Sequence, residues 1–279
     1  MLTVVKGLAG TIAAACVTLL AACGGSNDRP PQESSQVALP LNDTGVSHCG
    51  SDVDVFSVGP LVGCDLSHYS AQDAEVGRDF QAASGLLEKQ GGGAAGFDFV
   101  KLDESGVALV DQHLTWDASN SAALGARWAC VEDKHTGLIW EVKHSSAEHP
   151  RYGGNTYSWY SDDMHTNGGE SGSQDGGECS EGRCDSAGYI ALINAAALCG
   201  YDDWRLPTTT EFLTIGHLGR GDPSIDVAYF PNTLGLRHWS AQTYQKTPFL
   251  AWYMYFSDGS VSFTGKGDPS YLRLVRGGL

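Results

Sequence analysis

The chain has 279 residues, with 33 acidic against 17 basic side chains, a formal charge of −16 at pH 7 and 36 glycines. That balance argues against nucleic acid, heparin-like polyanions and anionic lipid headgroups as bulk partners, and the length sets one large domain or one and a half. No period of 20–50 residues recurs, which argues against repeat architectures. Seven Trp and eleven Tyr among so many glycines point to an aromatic core wrapped in turns and loops.

The first element in the chain is a leader. Lys6 precedes an apolar or small-residue run over residues 8–22, which ends in Leu20-Ala21-Ala22-Cys23. A run this short with small residues at its end reads as a secretory signal rather than a spanning helix. The ending resembles a bacterial lipobox, in which the cysteine thiol is acylated and becomes the new N-terminus; the alternative is an ordinary signal with a chance cysteine. Residues 1–23 are thus the expected signal and Cys23 the expected lipidation site. Several acyl chains on one cysteine anchor a protein to a membrane stably where one chain does not. Gly24, where some sorting rules would want Asp, points to the outer membrane. Loss of the leader removes Lys6 and no acid, so the formal charge becomes −17. Residues 24–45, rich in Ser, Pro, Asn and Gln, read as a flexible linker.

Six cysteines remain: Cys49, Cys64, Cys130, Cys179, Cys184 and Cys199. An even number in an exported chain implies disulfides, and the single close pair, Cys179 and Cys184, is a poor zinc pattern. Cys49 and Cys64 flank "GSDVDVFSVGPLVG" and are expected to staple a small segment over 46–65. The main domain is expected over 66–279.

Within that domain, "DAEVGRDFQAASGLLEKQG" reads as a short helix ended by the glycines at 91–93. "FDFVKLDESGVAL" reads as a hairpin around Asp-Glu-Ser-Gly, and "RWACVEDKHTGLIWEVK" as strands over 128–131 and 138–142. Residues 144–185 are a long polar, glycine-rich excursion. A helix follows over 187–199, capped by Asp185 or Ser186 and ended by Gly200, with Tyr189, Leu192, Ile193 and Ala196 on one face. Thr208 and Glu211 have capping-box spacing and open a second helix with Phe212, Ile215 and Leu218 on one face. Strands are expected over 238–244, 251–256, 261–265 and 271–275, the middle two joined by Ser257-Asp258-Gly259. Helices set between β-hairpins make the fold class α+β.

Six blocks, "CVEDKHTGLIWEVK", "AAALCGYDDWRLPTTTEF", "YFPNT", "HWSAQTY", "AWYMYFSDGSV" and "LRLVRGG", occur in an order that resembles the bacterial DUF1566, or Lcl C-terminal domain, family. The resemblance implies a C-type-lectin-like fold: two helices, an antiparallel core sheet and a long variable loop region. It also implies the pairings Cys130–Cys199 and Cys179–Cys184. The family takes its name from a collagen-like adhesin that looks like a binder of sulfated glycans, a property the −17 charge makes unsafe to carry over. No collagen-like run is present here.

Three candidate sites follow. Within the group Trp204, Arg205, Pro207, Thr208 and Glu211, the run Arg205-Leu206-Pro207-Thr208 followed by Glu211 resembles a block in the formylglycine-generating and sulfoxide-synthase enzymes, but no cysteine follows Cys199 and the histidines show no ligand pair at helical spacing. These residues are expected to be structural, with Arg205 paired to a buried carboxylate or to backbone carbonyls. Asp162, Asp163, Glu170, Asp175 and Glu178 offer hard oxygens suited to Ca²⁺, without the EF-hand order; a solvated loop is the alternative. Tyr157, Trp159 and Tyr160 in the long loop are candidates for stacking on sugar rings, with core packing the alternative. The expectation is a non-enzymatic, lipid-anchored binding or adhesion module for a surface glycan or protein, with Ca²⁺ as the one candidate cofactor and no nucleic-acid partner. The alternatives are an enzyme of the related folds or an envelope structural protein.

Overall fold

The computed structural model describes residues 42–49, 72–121 and 125–278. Cys23 and Cys64 lie outside these residues, so the lipidation site and most of the expected 46–65 segment do too. Cys49 is disulfide-bonded.

Helices and antiparallel strands alternate in the order expected for α+β. The helices are α1 (Asp73–Val76), α2 (Arg78–Ala83), α3 (Ser186–Ala195) and α4 (Thr209–Leu213). The strands are β1 (Phe99–Leu102), β2 (Cys130–Asp133), β3 (Ile139–Glu141), β4 (Arg237–Thr243), β5 (Leu250–Tyr255), β6 (Ser260–Gly265) and β7 (Val275–Arg276). They form a four-stranded sheet in the order β1-β2-β3-β7 and a three-stranded sheet β4-β5-β6.

The β2–β3 hairpin shows why its sequence reads as nearly continuous apolar residues. Val131 faces Trp140 in register, one residue from Cys130 opposite Glu141. Successive strand residues point to opposite faces. Cys130 and Ile139 enter one hydrophobic cluster with Trp159, Tyr189, Ile193, Trp204 and Trp239. Val131 and Trp140 enter a second with Phe97, Phe99, Phe212, Met254 and Phe256. Both faces of this sheet are therefore buried.

Several boundaries differ from the sequence reading. The first helix splits at Gly77 and ends at Ser84, not at the glycines of 91–93. The hairpin around Asp-Glu-Ser-Gly closes only near its turn, on the edge of β1 away from β2: Leu102 bridges Ala108, the Asp103 amide donates to the Val107 carbonyl and the Leu109 amide to the Lys101 carbonyl, while the Gln112 side chain, not a second strand, takes the Lys101 amide. The helix α3 stops at Ala195: Ala197 and Cys199 adopt left-handed backbone, and a 3₁₀ turn at Leu198–Gly200 brings Cys199 to Cys130 with Cα atoms 6.6 Å apart. Only the end of the expected 271–275 strand is continuous, as β7. The expected linker boundary at residue 45 also shifts. Asn42 and Asp43 are buried; the Asn42 amide donates to Asp133 and to the carbonyl of Thr214, and the Leu218 amide donates to the Thr44 carbonyl.

The long excursion is fastened rather than free-standing. Tyr157 bridges Ser270, Thr156 bridges Glu178 and Tyr160 bridges Gly172. Cys179–Cys184 closes its end.

Candidate functional site

The Tyr201–Phe212 segment builds one wall of the site. Thr208 Oγ1 accepts from the Glu211 amide at 3.1 Å, and Glu211 accepts from the Thr208 amide at 2.7 Å, a reciprocal capping box that starts α4. Arg205 Nη1 and Nη2 donate to the two Glu211 carboxylate oxygens at 2.9 and 2.6 Å, and Nη2 also donates to the Gly277 carbonyl. Burial by itself raises the Glu211 pKa; Arg205 and the Thr208 amide outweigh it and hold the carboxyl below its ordinary value. Trp204 is buried, and its indole donates to the Leu198 carbonyl. Pro207 offers its carbonyl to the Ala241 amide of β4. Asp203 takes a bidentate contact from Arg276, whose guanidinium lies 3.9 Å from the Tyr201 ring centre. These residues hold α3, α4, β4 and β7 together.

A second polar group is sealed in the core. Glu141 Oε1 lies 3.0 Å from Lys143 Nζ and accepts from the Tyr189 hydroxyl, while Glu141 Oε2 accepts from the Leu274 amide. The Glu141 and Lys143 side chains are 0% and 4% exposed. Burial pushes Lys143 down to about 8 against the pull of Glu141. Buried this deeply, the pair is a structural ion pair and not a group presented to a solute.

Between these frames lies a groove of about 490 Å³. It is lined by Tyr160, Ser161 and Asp162 of the long loop, by Ile190 and Ala191 of α3, and by Arg205 and Thr208. The loop side is fixed in place. Ser186 Oγ accepts from the Tyr160 amide and donates to its carbonyl, both at 2.9 Å. Trp159 is buried at the groove's base, with its indole N–H on the Ser240 carbonyl and Lys266 Nζ 4.0 Å over its ring. Lys266, which the sequence reading passed over, also donates to the carbonyls of Asn167 and Glu170, so one buried cation ties the loop to β6. Burial pushes it down to about 8. Nothing local in "TGKGD" signals this, because its acceptors lie about a hundred residues away.

The other candidates are redistributed. Tyr157 and Trp159 are both 1% exposed and belong to the core; Trp159 borders the groove but is sealed, so Tyr160 is the one of the three with substantial exposure there. Asp162, Asp163, Glu170, Asp175 and Glu178 are all exposed, and among the described residues they form no metal-binding group of three. The loop's own backbone uses several of them: Asp163 accepts from the His165 amide, Glu170 from the Gly172 amide and Asp175 from the Cys184 amide. Only Asp162 lines the groove. A different acidic group, Asp43, Asp73 and Asp79, does converge.

Fold and site together define a disulfide-stapled α+β domain with an ordered long loop folded over an open groove. The Lcl C-terminal domain family matches residues 129–276, more than half of the chain, and the chain belongs to that family. No curated protein and no solved structure matches it.

Proposed function

We propose that this is an exported protein, lipid-anchored through Cys23 at the outer membrane, that presents the domain as a non-enzymatic binding module for an envelope or surface glycan. The helices α3 and α4 set between the antiparallel strands, with the loop over one side, support a C-type-lectin-like reading. The observation that carries the proposal is the groove: an apolar lining of Ile190 and Ala191 together with Tyr160, Asp162, Arg205 and Thr208. A sugar ring has one apolar face and a girdle of hydroxyls, and a concave site with a few converging polar groups suits it. Against an enzyme, the cysteines at 130, 179, 184 and 199 are all bonded, no cysteine follows Cys199, and the perturbed Glu141–Lys143 pair is sealed. No helix among the described residues is long and apolar enough to cross a membrane; in this reading the anchor is acylated Cys23.

The test is a glycan and protein array probed with the purified chain, with and without Ca²⁺, followed by titration of any hit against Tyr160→Ala and Ile190→Glu variants. Tyr160→Ala is expected to weaken a glycan hit about tenfold, the scale of one lost aromatic contact. Ile190→Glu should abolish the hit by placing a charge on the apolar lining. Glycan binding that neither change affects, or no glycan binding in either condition, would sink the groove assignment.

A further inference from the structure

We propose that Asp43, Asp73 and Asp79 form a binding site for a hard divalent cation of the Ca²⁺ type, which clamps the segment entering the domain onto α1 and α2. One carboxylate oxygen from each residue lies within 4.8 Å of the others. Oxygens that share a single Ca²⁺ at about 2.4 Å are at most about 4.8 Å apart, so the spacing is that of a common coordination sphere.

The second observation is independent of that spacing. Asp43 and Asp79 are 6% and 3% exposed. Each uses one oxygen to accept from the Gly96 amide, at 2.6 and 3.2 Å. The other oxygens, Asp43 Oδ1 and Asp79 Oδ2, are buried with no hydrogen-bond donor. Two orphaned carboxylate oxygens side by side are costly unless something positive lies between them. The neighbouring bases direct their hydrogen bonds elsewhere. Arg78 donates to the Gly96 carbonyl, and Lys89 to the carbonyls of Gly93 and Ala95. Asp73 completes the triad from the first turn of α1, where its Oδ2 accepts from the Thr44 hydroxyl.

The backbone is also shaped around these carboxylates. A Cβ at Gly77 would stand 1.5 Å from Asp73 Oδ1, and one at Gly96 would stand 2.9 Å from the Asp43 carboxyl carbon. The site draws on three separate stretches of chain: residues 42–46, the α1–α2 pair, and the turn before β1. It is distant in sequence from the acidic excursion and is independent of the groove.

The experiment uses the full chain, stripped with EDTA and dialysed, then titrated calorimetrically with CaCl₂ and melted with and without Ca²⁺. One ion per chain is expected, with a dissociation constant on the order of 10⁻⁴–10⁻³ M, the range of extracytoplasmic modules. At about ten times that constant, Tm should rise by roughly 3–6 °C. Asp73→Asn, at a half-buried position that keeps the fold, should weaken binding at least tenfold and remove the Tm shift. A Glu170→Gln/Glu178→Gln variant of the long loop should leave both unchanged. A Tm shift that survives Asp73→Asn, or that vanishes in the loop variant, would place the ion elsewhere and overturn the proposal. So would a stripped wild-type chain that neither binds Ca²⁺ nor gains Tm; in that case Asp43 and Asp79 share a proton instead, and Asp79→Asn would match or exceed the wild-type Tm.

Discussion

Arg205 and Glu211 show how a side-chain pair that reads as active-site chemistry can act as framework. Glu211 satisfies the Thr208 amide, neutralises Arg205 and caps α4 at once, with its side chain 6% exposed; the Arg205 side chain is 41% exposed at the groove. The consequences of removing each partner are therefore unequal. Glu211→Ala leaves a guanidinium and an amide unpaired and removes the cap, and is expected to cost about 2–4 kcal/mol. Arg205→Ala leaves Glu211 still bonded to Thr208, and solvent screens much of what the pair contributed; about 1 kcal/mol is expected. Urea denaturation of both variants reads this directly. Equal, negligible losses would mean that the corner is not structural and would return Arg205 to the list of ligand contacts. The capping half of this arrangement was legible, because Thr-x-x-Glu is a four-residue pattern with a local cause. The Gly277 carbonyl that completes it lies 72 residues downstream, beyond the reach of any local pattern.

The same contrast recurs among the elements. Cys130–Cys199 ties β2 to the end of α3 across a separation of 69 residues, whereas Cys179–Cys184 closes a loop of separation 5. If each bond acts mainly by restricting the unfolded chain, loss of the first should cost about 4 kcal/mol and loss of the second about 2 kcal/mol. Paired Cys→Ala variants melted under identical conditions should keep that order. A reversed order would mean that the small loop holds the excursion, and so the groove wall, more tightly than chain entropy allows. The tie at Cys199 also explains a misplaced boundary. Helical periodicity runs on to residue 199, but the left-handed residues Ala197 and Cys199 turn the chain back toward Cys130. The Asp185 cap and the β2–β3 hairpin were readable because both are local signals. The second strand expected after Asp-Glu-Ser-Gly is cut to a single bridge, since the Gln112 side chain, eleven residues on from Lys101, takes the amide that a longer strand would have used. For the groove, Tyr160 and Asp162 were named from composition, while Ile190 and Lys266 were not. The first of these looked like one more apolar helix residue and the second like an ordinary surface lysine.

At the scale of the whole molecule, the proposed anchor at Cys23 has to meet a folded domain. The segment beginning at Asn42 is already part of the fold: its amide supports the buried Asp133, Thr44 accepts from Leu218, and Gly45 packs on the His217 ring so closely that a Cβ would come within 2.3 Å of it. Between Cys23 and Asn42 lie residues 24–41, a length that spans at most about 60 Å when fully extended. Anchor and fold should then be separable functions. In the proposed reading, Cys23→Ala moves the protein from the membrane pellet to the soluble fraction and leaves its Tm unchanged, because the described contacts of residues 42–45 are made with the domain itself. Fractionation and a melting curve on the same preparation test both halves. Retention in the pellet would remove the lipid-anchor proposal. Release accompanied by a fall in Tm would instead show that the anchor, or the residues next to it, supports the domain, and that the fold begins earlier than Asn42.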